Sequence, residues 1–62
     1  MIEVGNMVRP IHNERSKYMN KDFIEWINKN KDNRFYVESV RGRCIRLSKV
    51  LFMITDEFLE RI

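Results

Sequence analysis

The residues in this sequence that could do chemistry are few and scattered. Cys44, the single cysteine, lies beside Arg43 and Arg46, cations that would favour a thiolate on an exposed sulfur. A lone cysteine in a small chain more often fills space, and it reads here as a packing residue. His12, the single histidine, has no second histidine or acidic partner at ligand spacing, so it reads as a surface side chain. One thiol and one imidazole cannot complete a four-ligand zinc site within a single chain. Asp56, Glu57 and Glu60 adjoin a helix start or a solvated surface, which accounts for them without catalysis. With Gly5 and Gly42 as the only glycines, neither a P-loop nor a dinucleotide fingerprint is present. The sequence therefore offers no catalytic set, no metal site and no cofactor motif, and binding is the expectation that remains.

Charge and aromatic residues say where binding would occur. Twelve Lys and Arg against nine Asp and Glu leave a net charge of +3, modest for a dedicated nucleic-acid protein. The distribution is less even: Arg34, Arg41, Arg43, Arg46 and Lys49 share their stretch with one anion, Glu38. Such a basic segment can contact phosphates or an acidic protein surface, with Tyr36 as a stacking ring. It is equally explained as a surface kept soluble by charge. Trp26 either covers the open end of a core or anchors an interface. The candidate partner-binding residues are Trp26, Tyr36, Arg41, Arg43 and Arg46. A protein partner is the first expectation and nucleic acid the alternative. Tyr18, Trp26, Phe35 and Tyr36 fall on different elements, and no spacing shows that they converge on a cage for a methylated lysine.

The element that must position most of these residues is a hairpin in residues 34–50. Two runs of strand formers flank Gly42, and period-two alternation puts Phe35, Val37, Ile45 and Leu47 on one face. A three-residue loop Val40-Arg41-Gly42, with glycine at the left-handed position of a G1 bulge, would set Tyr36 opposite Arg46, Glu38 opposite Cys44 and Ser39 opposite Arg43. A two-residue Arg41-Gly42 loop would mix the faces and ranks lower. Before the hairpin, residues 1–11 start as a strand with a bend at Gly5-Asn6, and Val4, Val8 and Pro10 can share a face. Pro10 has no backbone donor and belongs at a sheet edge or a strand end. Residues 11–17 read as loop. Asn20 is a plausible N-cap for a short amphipathic helix over about residues 20–30, with Asp22 in its first turn and Phe23, Ile24 and Ile27 at helical spacing. Asn28 to Asn33 stops it. After the hairpin, Val50 to Ile54 suits a strand buried on much of both faces, and Thr55 can cap one helical or 3₁₀ turn. Phe58, Leu59 and Ile62 form either a last strand or a further helical turn.

Sixty-two residues make one small domain, able to bury only about 60% of its unfolded surface. Self-association into a homodimer is a natural remedy for so small a core. No apolar run approaches the roughly 20 residues of a membrane span, and no signal peptide is evident, so the expectation is a soluble, cytoplasmic protein without a membrane partner. The unpaired cysteine agrees with a reducing compartment.

Three stretches carry a resemblance. VGNMVRPI resembles the opening strand of a small SH3-like barrel of the KOW and Tudor type; FYVESVRGRCIRL resembles its central hairpin; LFMITDEFLERI resembles the strand, 3₁₀ turn and last strand that close it. The chain is also similar in style to short uncharacterised phage and prophage proteins. The resemblance implies a mainly β fold, a barrel of about five short strands, with the segment between residues 11 and 33 as an insertion carrying the helix. It further implies a non-catalytic module, such as a phage-type accessory protein or inhibitor acting on a host protein, and it does not identify the ligand.

Overall fold

A computed structural model describes residues 1–62. Its elements run β1 (Met7–Pro10), a 3₁₀ turn (Ser16–Tyr18), α1 (Lys21–Asn30), β2 (Phe35–Arg41), β3 (Cys44–Leu47), β4 (Met53–Thr55), a second 3₁₀ turn (Asp56–Phe58) and β5 (Leu59–Arg61). The five strands form one antiparallel sheet in the order β4-β3-β2-β1-β5. No helix is long and apolar enough to cross a membrane.

The two edge strands are consecutive in the chain and do not pair with each other. In a flat sheet they would lie about 19 Å apart, four spacings of roughly 4.8 Å. The turn Asp56–Phe58 joins them, and a 3₁₀ segment of that length advances only about 2 Å per residue. The sheet must therefore curl, which gives it an inside. On that inside lie Val8, Ile27, Val37, Ile45, Leu47, Val50, Ile54, Phe58 and Leu59, all buried, with Ile2, Phe23, Trp26 and Phe35 packed against them. Burial of each large aliphatic contributes about 1.5–3 kcal/mol relative to exposure, and no disulfide supplements it.

The hairpin forms with the expected inner face but not the expected loop. Arg41 pairs with Cys44, Val40 with Ile45, Ser39 with Arg46 and Val37 with Leu47. The loop is thus Gly42-Arg43, with Gly42 at φ +60° and Arg43 outside the left-handed region, the pattern of a type II′ turn. What lets this register keep Val37, Ile45 and Leu47 on the inner face is a β-bulge between Val37 and Ser39: Glu38 is the extra residue that restores the alternation. The pairings of Tyr36, Glu38 and Ser39 expected from the sequence are corrected accordingly.

Two further expectations change and one open alternative resolves. The first strand is confined to Met7–Pro10, with Val8 and Pro10 buried and Val4 exposed. Pro10 closes β1, opposite Leu59 on β5 and beyond the last pair with β2, so its missing N–H is not needed there. The run Val50 to Ile54 is not a buried strand. Lys49 takes φ +68° and turns the chain out of β3, so Val50 and Ile54 are buried while Leu51, Phe52 and Met53 are exposed. The C-terminal alternative resolves as a strand, β5.

Candidate functional site

Helix α1 begins where its cap dictates. The Asn20 side chain accepts a hydrogen bond from the Asp22 backbone N–H at 2.7 Å, satisfying one of the free donors of the first turn. From there the 3.6-residue period turns Ile27 fully into the core and leaves Phe23 and Trp26 half-buried at its margin. Phe23 meets the core residue Phe58 edge-to-face, ring centroids 5.1 Å apart, and Trp26 leans on Phe35 at 5.7 Å. The Phe23 and Trp26 rings are nearly parallel, 10° apart at 6.2 Å.

Phe52 completes the group. The bend after Lys49 sets its ring almost perpendicular to both others, 80° from Phe23 at 6.2 Å and 77° from Trp26 at 5.2 Å. Between them opens a cleft of about 390 Å³, lined by Asn20, Asp22, Phe23, Trp26 and Phe52. Its walls are aromatic and its rim carries one exposed carboxylate with no ion-pair partner, that of Asp22. No hydrogen bond within the chain uses the Trp26 indole N–H, and no buried side-chain polar atom is left without a partner, so that donor reaches solvent. Sequence reasoning singled out Trp26 but missed Phe52, which it placed in a buried strand. Nothing signalled the bend, because a lysine rather than a glycine takes the left-handed position.

The basic hairpin divides into paired and unpaired cations. Arg43, in the turn, reaches the 3₁₀ segment: its Nε donates to Asp56 at 3.2 Å and its Nη2 to Glu57 at 3.3 Å. The hydrogen bond to Asp56, then the charges of Asp56 and Glu57, raise the Arg43 guanidinium pKa above its ordinary value. Arg46 comes within 3.9 Å of Glu38, too far for a hydrogen bond. Arg34, Arg41 and Lys49 enter no ion pair. Tyr36 is 57% exposed on the opposite face of β2 from Phe35, which packs on Trp26. The five candidate residues therefore do not form one site: Trp26 belongs to the cleft, Tyr36, Arg41 and Arg46 to the outer face of β2 and β3, and Arg43 to a strut between the turn and the 3₁₀ segment.

Cys44 is exposed, which corrects its reading as a packing residue: it alternates with buried Ile45 and points outward. His12 is exposed, with Nε2 2.6 Å from Asn28 Oδ1 and Nδ1 3.2 Å from Ser16 Oγ, so it ties the first loop to α1. No group of three His, Cys, Asp or Glu side chains is placed to hold a metal ion. No protein-family model, curated protein or solved structure matches the chain.

Proposed function

We propose that the chain is a non-catalytic, protein-binding module, its curled sheet a small SH3-like barrel, and that the cleft beside α1 receives one apolar side chain of a partner. The observation that carries this reading is the trio Phe23, Trp26 and Phe52, with Phe52 nearly perpendicular to the two parallel rings around an open space. A volume of about 390 Å³ is near the lower end for ligand pockets, roughly 300–1,000 Å³, and suits a single aromatic or branched aliphatic side chain. Two walls, Phe23 and Trp26, lean on Phe58 and Phe35, so that side of the cleft is formed before anything enters, which lowers the entropy cost of binding. Asp22 at the rim favours a Lys or Arg next to the inserted residue, since a free carboxylate at an apolar site selects its opposite charge.

A displayed library of random peptides, followed by amide and aromatic NMR shifts, tests this. The selected sequences are expected to place a Phe, Trp or Leu beside a Lys or Arg and to shift Phe23, Trp26 and Phe52. Phe52→Ala should weaken the best peptide by about thirtyfold, the scale of an interface hot spot, with the folded spectrum intact. Asp22→Asn should erase the preference for a neighbouring cation. Peptides that bind equally well to the Phe52→Ala protein would remove the proposal.

A further inference from the structure

The outer face of β2 and β3 carries a second arrangement, separate from the cleft. Two hollows border it, each also taking in one residue from the inward side, Phe35 or Val40. One, of about 200 Å³, is lined by Arg34, Phe35, Tyr36, Ser48 and Lys49. The other, of about 230 Å³, is lined by Ser39, Val40, Arg41, Arg46 and Met53. Each combines two cations with a serine hydroxyl, a donor set that suits the oxygens of a phosphodiester. Tyr36, exposed, stands on β2 on the side of the first hollow nearer the second. From Tyr36 to Arg41 is five residues, at most about 17 Å of strand at roughly 3.3 Å each, the reach of a few nucleotides.

Arg9, Arg15 and Arg43 are each answered by a carboxylate of Glu57, Asp56 or Glu60. Arg34, Arg41 and Lys49 are not, and Arg46 has only the loose, solvent-screened contact with Glu38. Unpaired cations occur elsewhere too, at Lys17, Lys21, Lys29, Lys31 and Arg61, but on this face they line hollows on either side of an exposed ring. Lys49 adds an independent observation. Its φ of +68° belongs to the left-handed region, where a side chain costs about 1–2 kcal/mol and glycine is free of that penalty. The chain nonetheless carries a cation at this position, and the cation lines the first hollow.

We propose that this face binds single-stranded nucleic acid, with the sugar-phosphate backbone passing from Arg34 and Lys49 to Arg41 and Arg46 and a base stacked on Tyr36. A single strand is favoured over a duplex because an exposed ring on a sheet face is used only by an unstacked base. Arg43, committed to Asp56 and Glu57, takes no part. Phe35, which lines the first hollow, also backs Trp26, but Tyr36, Arg41 and Arg46 point away from the peptide cleft, so substitutions at these three test this face without touching it.

Fluorescence anisotropy with fluorescein-labelled dT12 and rU12 tests the assignment. Binding is expected at 50 mM salt and should weaken as salt rises, with a log–log slope of about −3 for four phosphate contacts. Tyr36→Ala should cost about tenfold or more, since stacking carries that much per base, while Tyr36→Phe keeps the affinity. Lys49→Gly, which suits the backbone, and Arg41→Ala should each cost severalfold with unchanged or higher melting temperatures. Glu38→Gln should tighten binding by releasing Arg46, and Arg43→Ala should leave it unchanged. The proposal is overturned if neither oligonucleotide binds at 50 mM salt, if a duplex of equal length competes as well as the single strand, or if a poly-glutamate peptide binds as tightly and Tyr36→Ala has no effect. That last outcome would assign the face to an acidic protein.

Discussion

Phe35 and Tyr36 are neighbours in β2, yet they belong to regions built on opposite principles. The Phe35 side leads through Trp26 to Phe23, Phe52 and the core residue Phe58, so two of the rings that shape the cleft, Phe23 and Trp26, also pack on the core. The Tyr36 side is made of exposed cations, one ring and two hydroxyls, of which only that of Ser48 is on a partly buried residue. On the first side recognition and stability share the same atoms; on the second they are separable. A chain of this size has too few residues to keep an apolar site apart from its core, whereas a polar site can be laid over any outward strand face.

Substitutions can break or sharpen that contrast. Phe58→Ala should have the largest effect, about 3–5 kcal/mol from lost burial and the cavity left behind, seen as collapse of the urea unfolding midpoint and loss of the cleft together. Trp26→Ala should cost about 2 kcal/mol because the ring is only half-buried, and Phe52→Ala less than about 1 kcal/mol, read by thermal melting. If Phe52→Ala proves as costly as Trp26→Ala, the cleft is a dent in the core rather than a site. Asn20→Ala should remove about 1 kcal/mol by uncapping α1, loosening the cleft while leaving the outer face of the hairpin unchanged in hydrogen exchange. Smallest of all, Lys49→Gly should raise stability by about 0.5 kcal/mol, the relief of left-handed strain less the entropy cost of glycine. A fall in stability there would mean that the lysine supports the fold and that the two sides are not separable.

Much of the fold was legible because period and punctuation agree. Val37, Ile45 and Leu47 are buried as alternation requires, α1 starts at the capping asparagine, and a short turn follows Thr55 as expected, of the 3₁₀ kind and without a capping bond from the Thr55 side chain. The hairpin loop was misread because a bulge at Glu38 shifts the alternation by one residue without a glycine to mark it. Phe52 and Cys44 were misplaced for a related reason. Composition alone reports an apolar run, whereas burial is decided by a backbone turn at Lys49 and by the face a strand position happens to take. The cleft depends on three elements distant in sequence and could not be read locally. The outer cations could be read, but not which of them were already neutralised.

Strand β1 is sandwiched between β2 and β5, so Val8 needs partners at positions 35 and 61. In folding, the hairpin can zip from contacts close in sequence, yet β1 stays bare along one margin until residues 59–61 dock. Closing so long a loop slows folding, and an unpaired margin invites aggregation in the interval.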